Sequence, residues 1–530
     1  MAAVTQTIPT YLGGVSKQID SKKKPGQVRE CLNAYPDPTF GLMKRPGTKF
    51  IKTLATTALT DAKWFYIHRD GDEQYVGRIS KGNPGDIKIW NAVSGVECTV
   101  TDTTGGYAYL QPAGGAADNP QLNYDILTVQ DTTIITNKTK PVSQDSMGTH
   151  VANKKGTVRL KQVRYGSTYS VKINGTQMTD HVTVMSDANN ATEVLNSQSI
   201  IDALESGING LNITGMTVTK LPSSLELSCT SAFTLEAIDK AGGANLEAFQ
   251  EQVNVITDLP NQCANGRLIK VINTEETSES SYWAKFRAEG DAAHGPGFWE
   301  ETRDPTSAVS IGLNNTTMPH ELFNPSVNTF QFKVIDWKDR LVGDNTTNEH
   351  PSFCDPDDPK TIQQCFLYNT RLGFLTKDNV SLSQAQDYYN FYFTTALSSL
   401  ASDPIDLSCS SIRPAVLHGV VPTAQGLVLF SKNQQFMMFA ADGPLTPASA
   451  IIRSISNYEM DTHIDPVDVG TNINFVSKTP SYSRIFGMQT RGYEESPIIQ
   501  DISRAVSQWI PNSIDNIFAS PQNSLTGVYG

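Results

Sequence analysis

Two acidic pieces of this sequence contain residue types that could carry chemistry. Glu300 and Glu301 are the kind of carboxylate pair that hydrolyses glycosidic bonds when both groups face one substrate. Adjacent residues of a strand point to opposite faces of the sheet, so these two are not predicted to face each other. The segment CDPDDP (354–359) gathers three aspartates that could bind a hard cation, but it lacks the spaced ligands and terminal Glu of a calcium loop. A solvated loop is the favoured interpretation.

The motifs of the common catalytic and cofactor sites are missing. His320-Glu321 has no second histidine at helical spacing, and the eight histidines never cluster in sequence. The sequence contains no GxxxxGK[ST] phosphate loop, no GxGxxG after a strand and no GxSxG serine elbow. We therefore predict no catalytic residue, no cofactor and no metal, and the sequence does not support an enzyme.

An aromatic run at residues 388–393, YYNFYF, could in principle stack on sugar rings. Dense apolar runs of this kind more often form a core or a subunit interface, where buried aromatic side chains dominate the energetics. We therefore interpret four of its members as packing or assembly contacts: Tyr388, Tyr389, Phe391 and Tyr392.

Length and composition predict a large, multidomain β protein. The 530 residues exceed the size of a single hydrophobic core, so two to four domains are expected. Hydrophobic residues make up 38% and charged residues 18%, and abundant Thr, Ser, Asn, Gly and Pro favour strands and turns. No run of eighteen apolar residues and no secretory signal occur, so no stable membrane insertion is expected. Seven scattered cysteines indicate reduced thiols and folding in a cytosol.

Charge is unevenly distributed along the chain. Residues 1–60 hold nine Lys and Arg against three acidic residues, a net charge of +6. Since the whole chain has a net charge of −12, the other 470 residues carry a net charge of −18. Prolines at 36, 38 and 46 prevent a long helix there. Residues 1–60 are therefore predicted to be an extended basic arm that contacts nucleic acid or an acidic protein neighbour, or is simply solvated.

From Trp64 onward, strand-sized apolar segments recur roughly every 8–12 residues between turn signals. This spacing is typical of sandwiches or propellers, and propeller-like sheets are favoured because no Cys–Trp–Cys sandwich signature appears. Residues 61–159 and 259–530 are predicted to form this β-rich body.

Residues 160–258 are predicted to be an α+β module inserted in the body. TYSVKING with its turn at Asn174-Gly175 indicates a strand, and HVTVM its partner. Apolar residues including Ile200, Ile201, Leu204 and Ile208 follow helical periodicity, and Gly210 is a plausible helix end. Inserted modules of this sort usually add a binding face.

An ordered set of short motifs resembles one viral family. The pieces are RLGFL (371–375), YNFY (389–392), DPID (403–406) and, in the arm, LGGVS (12–16) and GLMKRP (41–46). Together they resemble the tail tubular protein B, or nozzle, family of short-tailed bacteriophages, in consistent order over nearly the whole chain. Members usually continue further, so a distal nozzle tip is expected to lie beyond residue 530.

The resemblance implies a structural virion protein of the phage tail, assembled in the host cytoplasm. It implies a homohexameric ring or tube that contacts a tail adaptor ring and tail fibres, and through which double-stranded DNA leaves without sequence readout. Lys44 and Arg45 of the arm are expected to contact the adaptor, and the inserted module to dock fibres. Two alternatives from the residues remain: a propeller-type glycosidase or capsule depolymerase, and a non-catalytic protein-binding propeller scaffold.

Overall fold

The computed structural model describes residues 10–55, 61–114, 117–145, 150–184, 195–272, 281–306, 309–409, 415–440, 443–491, 496–506, 508–521 and 525–529. Strands account for 42% of the chain and helices for 8%. The prediction of a mainly β protein with several sheets is therefore confirmed. Both ends of the predicted arm, residues 1–9 and 56–60, lie outside the described residues.

In the described part of the arm, Val15 and Val28 pair in an isolated bridge around a short 3-10 helix (Asp20–Lys22), and one hairpin follows. Strand β1 (Ala34–Asp37) pairs with β2 (Gly41–Lys44), and Phe40 in the turn between them is exposed. Nearer the N-terminus, the backbone N–H of Lys17 donates to the carbonyl oxygen of Ala505 at 3.2 Å. The Lys17 ammonium group lies 5.6 Å from the centre of the Trp509 ring. The arm therefore reaches the C-terminal part of the chain.

The first sheet of the body is a three-stranded meander with one buried face. Phe65 and Ile67 point into the core, whereas the alternate residues Trp64 and Tyr66 are exposed, as period-two alternation requires. Its strands are β3 (Ala62–His68), β4 (Gln74–Ser80) and β5 (Ile87–Asn91).

The second sheet begins before the predicted inserted module and is finished after it. Strand β8 pairs in sequence with β7 and, across the sheet, with β22, so His320 lies opposite Ile135. The chain leaves this sheet after Asn137 and returns at His320. The elements are β6 (Thr99–Asp102), α1 (Pro120–Asn123), β7 (Tyr124–Val129), β8 (Thr132–Asn137), and later β22 (His320–Ser326) and β23 (Thr329–Val334).

Between these halves lies a unit built around helix α2. The side chain of Asn196 caps the helix by accepting a hydrogen bond from the N–H of Ser199 at 2.7 Å. The predicted apolar face is buried, and the helix ends at Gly210 as expected. The elements are β9 (Lys155–Leu160), β10 (Thr168–Ile173), β11 (Thr176–Gln177), β12 (His181–Val182), α2 (Ser197–Gly210), β13 (Met216–Lys220), β14 (Ser224–Cys229), β15 (Leu235–Ile238) and β16 (Leu246–Phe249).

One hydrophobic core of this unit joins α2 to two four-stranded sheets. One sheet has the order β13-β14-β9-β16, and the other is centred on β10, which pairs with β11, β12 and β15. Strand β9 begins at Lys155, so the predicted boundary at residue 160 falls on its last residue.

A five-stranded sheet follows the helical unit, in the order β17-β19-β20-β21-β18. Its strands β19 and β20 pair antiparallel, with Ile269 opposite Ala284. The strands are β17 (Gln252–Val253), β18 (Gln262–Ala264), β19 (Leu268–Val271), β20 (Tyr282–Ala288) and β21 (His294–Thr302).

After this sheet, the described residues form three antiparallel meanders of four strands each, followed by a hairpin. Each strand pairs with its sequence neighbour. The strands are β24 (Gln364–Tyr368), β25 (Arg371–Thr376), β26 (Asn379–Leu382), β27 (Ile405–Ser408), β28 (Leu417–Thr423), β29 (Gly426–Ser431), β30 (Gln435–Ala440), β31 (Ala450–Ser456), β32 (Val467–Asp468), β33 (Ile473–Lys478), β34 (Ser483–Gln489), β35 (Ile498–Asp501), β36 (Asn516–Ser520) and β37 (Leu525–Tyr529).

Neighbouring sheets of the body share cores in succession. The rings of Tyr75 and Phe330 meet edge to face at 5.0 Å between the first and second sheets. The carboxylate of Asp125 in β7 accepts the backbone N–H of Cys365 in β24 at 2.8 Å, which joins the second sheet to the meander of β24–β27. Phe430 and Phe475 lie 5.5 Å apart between the two later meanders. These sheets therefore share hydrophobic cores in chain order.

Candidate functional site

The aromatic run divides between the core and the surface. Phe391 stacks on Phe374 with ring centres 4.8 Å apart, and Tyr392 is only 1% exposed. Tyr389 is half-buried with its ring 5.4 Å from that of Trp337. Tyr388 is 38% exposed and is the member of the predicted set that reaches the surface. The geometry thus assigns Phe391 and Tyr392 to packing within the chain.

A buried arginine holds the backbone of the segment that carries this run. Arg371, 2% exposed in β25, donates from Nη1 to the carbonyl oxygens of Ser383 and Asp403, each at 2.7 Å. Its Nη2 donates to the carbonyl oxygen of Ala401 at 3.0 Å. Burial lowers the pKa of Arg371, and the nearby Asp403 carboxylate opposes that shift. The guanidinium therefore fixes both ends of the 383–403 excursion to one strand.

Lys44 and Arg45 lie at the end of β2 and are exposed. The Arg45 Nε donates to the side-chain oxygen of Asn33 at 3.2 Å, and its backbone N–H donates to the Asn33 carbonyl oxygen at 2.7 Å. Among the described residues, no carboxylate oxygen lies within 4.0 Å of either charged group. Both cations are thus available to a partner.

The acidic candidates are occupied by structural contacts. Glu300 pairs with Arg287 at 2.6 Å. Glu301 accepts from the Thr395 hydroxyl at 2.8 Å and from the backbone N–H of Ala396 at 2.9 Å. The two glutamates therefore serve different sides of β21, as strand geometry predicts.

The CDPDDP loop shows no convergent set of carboxylates. Asp355 accepts the backbone N–H of Asp357 at 2.9 Å, and Asp358 pairs with Lys377 at 3.0 Å. Within the ranges that the structure describes, no group of three or more His, Cys, Asp or Glu side chains is placed to hold a metal ion.

His320, from the MPHELF segment, is a packed histidine. It is 3% exposed and its ring lies parallel to that of Tyr109, with centres 4.1 Å apart. Its Nδ1 lies 2.9 Å from the carbonyl oxygen of Met318. Burial lowers the pKa of His320 to about 4, so the ring is neutral at pH 7.

A polar cavity of 260 Å³ lies where the first strands of successive sheets approach one another. Strand β7 lies beside β24, and β24 beside β28. The charged and ionisable side chains on the cavity wall come from five separate elements or loops: Lys63, Lys138, His418, His463, Asp465 and Asp515. We call this cavity the hub.

Arg371 and the hub were both missed at the level of sequence. Arg371 occurs in RLGFL, where a strand-initial arginine normally indicates an exposed residue. The hub side chains are separated by up to several hundred residues, and no local pattern joins them. Helix α2 shows the contrast, because its cap, apolar face and final glycine are all local.

Comparison with known proteins gives one family and one relative. The family model described as "Bacteriophage nozzle protein" matches residues 1–530. A protein named "Tail tubular protein gp12", from Escherichia phage T7, is 27% identical over 542 residues, which cover 100% of this chain and 65% of the relative. The chain thus spans somewhat less than two thirds of that relative's length.

No helix in the described ranges is long and apolar enough to cross a membrane.

Proposed function

Because the chain belongs to the bacteriophage nozzle protein family, we propose that it forms a homohexameric ring or tube for genome ejection. As a member of that family it is a non-enzymatic structural component of the phage tail. The observation that carries the proposal is the family match over all 530 residues. The relative's name, a tail tubular protein, supports a tube. The resemblance set out above supplies the six-fold symmetry.

The body of the chain is proposed to be a propeller-like arrangement of sheets. Consecutive antiparallel meanders that share cores support this, and so does the hub between their first strands. The proposed body comprises residues 61–159 and 259–530. A hub of 260 Å³ is far too small for a DNA duplex, so the proposed conduit lies between copies of the chain.

Residues 160–258 are proposed to dock tail fibres. A self-contained core with helix α2 supports an independent unit, because its two sheets use only strands of residues 160–258 apart from β9, which begins five residues before that range. A buried ionic contact fastens the unit to the following sheet. Glu226 Oε1 accepts from the Thr157 hydroxyl at 2.8 Å, and Oε2 lies 4.0 Å from Arg267 Nε.

Residues 1–60 are proposed to contact the adaptor ring through Lys44 and Arg45. Their exposure and lack of a nearby carboxylate support an acidic neighbour. Tyr388 is proposed as a contact between copies, since its side chain alone in the predicted aromatic set is at the surface. A closed ring needs heterologous interfaces, and an extended arm is suitable material for one.

Double-stranded DNA is proposed to pass the assembled chains without sequence readout. The net charge of −18 on residues 61–530 supports sliding instead of adhesion, because phosphate neutralisation needs Lys and Arg. The glycosidase alternative is not favoured, since the family is structural and the two adjacent glutamates are held apart.

The proposal is tested by the mass of the purified chain mixed with its adaptor protein. We expect a complex that contains six copies of the 57.9 kDa chain. A chain that stays monomeric and ignores the adaptor contradicts the proposal.

A further inference from the structure

The hub contains charged side chains that find few partners within the protein. Lys63 Nζ makes one long contact, 3.5 Å to the carbonyl oxygen of Gln121. Among the described residues, neither Lys63 nor Lys138 has a carboxylate oxygen within 4.0 Å of its ammonium nitrogen. Charged groups removed from bulk water need polar partners, so the cavity must contain water or a polar ligand.

The two lysines of the hub repel each other. Burial lowers the pKa of Lys63, attraction to Asp465 and Asp125 opposes that shift, and repulsion from Lys138 adds to it. Burial also lowers the pKa of His418, with further lowering from Lys138 and His463. The carboxylate of Asp125 behind the wall is engaged with the Cys365 N–H. An anion between the ammonium groups would relieve their repulsion.

A metal ion is less suited to this site. Two histidines and two aspartates line the hub, but in the described part of the chain no group of three or more His, Cys, Asp or Glu side chains is placed to hold a metal ion. Asp465 and Asp515 also line the wall and would repel an anion bound there. The volume of 260 Å³ admits a small oxyanion with its waters.

We propose that the hub is a binding site for a small tetrahedral oxyanion of the phosphate or sulfate class, held between Lys63 and Lys138. The anion joins β3 of the first sheet to the residue that follows β8 of the second. It therefore stabilises the packing of the sheets around the hub. The inference does not depend on the oligomeric state of the chain.

The experiment titrates sodium sulfate into the full chain by calorimetry at constant ionic strength, with sodium chloride as the balancing salt. We expect saturable binding of one sulfate with a dissociation constant of about 1 mM. Lys63→Met and Lys138→Met are each expected to weaken binding at least tenfold. Lys24→Met, which removes an exposed lysine of the arm, is the matched control and should bind as the original chain does.

Asp465→Asn provides a test that does not rely on the lysine variants. Removing this carboxylate from the wall should tighten sulfate binding several-fold. A cavity that holds only water gives no saturable heat in the original chain, and that result overturns the proposal. Equal binding by the original chain, Lys63→Met and Lys138→Met also overturns it, as does unchanged binding by Asp465→Asn.

Discussion

Arg371 donates a 2.7 Å hydrogen bond to the backbone carbonyl oxygen of Asp403, a residue 32 positions further along the chain. The same Nη1 atom donates to the carbonyl oxygen of Ser383, and Nη2 donates to that of Ala401. One guanidinium therefore closes the excursion that carries the aromatic run. Only arginine presents several donors in a rigid planar arrangement at once.

Replacement of Arg371 is expected to destabilise this part of the chain strongly. Arg371→Met leaves buried carbonyl oxygens without donors, and we expect a loss of roughly 2–4 kcal/mol in the free energy of unfolding. Arg371→Lys should recover only part of it, since an ammonium cannot span the same acceptors. Denaturant unfolding followed by tryptophan fluorescence, to which the buried Trp337 contributes, measures the change. Arg29→Met, at a 74% exposed side chain, is the control and should change stability by less than about 1 kcal/mol.

The Glu226–Arg267 contact is expected to show strong coupling. Both residues are buried, so removing one partner leaves an unpaired charge, and Arg267→Met alone should cost about 3–5 kcal/mol. The double variant Glu226→Gln plus Arg267→Met should lose less free energy of unfolding than the two single variants lose in sum. A double-mutant cycle by thermal unfolding measures this coupling. Additive single effects would show that the contact does not join the two units.

His320 is expected to contribute to acid sensitivity. Its pKa is about 4 in the folded chain against 6.5 as the ordinary value, so the folded state favours the neutral ring. Its contribution is complete above pH 6.5 and is lost as the pH falls towards 4, by up to about 3 kcal/mol. His320→Gln should therefore lose less stability than the original chain between pH 6.5 and 4. Denaturant unfolding of the two chains at pH 6.5 and at pH 4 measures the difference.

Reversal of charge at the end of β2 is expected to weaken adaptor binding. Lys44→Glu plus Arg45→Glu places two carboxylates where an acidic partner is proposed, and we expect at least a tenfold loss of affinity at low salt. Lys22→Glu plus Lys24→Glu changes the net charge of the arm equally at two other exposed positions. If both double variants bind alike, the assignment to Lys44 and Arg45 is wrong.

Local features of the sequence were sufficient for helix α2 and for the separation of the two adjacent glutamates. The periodicity of Ile200, Ile201, Leu204 and Ile208 predicted α2, and adjacency alone separated Glu300 from Glu301. Pairings between distant segments were not predictable. Strand β8 pairs with β22. Strand β10 pairs with β15 in addition to its expected partner β12. Such contacts depend on tertiary packing, which no short window of sequence records.

Electron microscopy of the purified chain bound to its adaptor, with class averages computed without imposed symmetry, tests the proposed six-fold ring. We expect end-on views with six equivalent subunits around an open lumen. End-on views with another number of subunits, or single particles with no lumen, would rule out this ring.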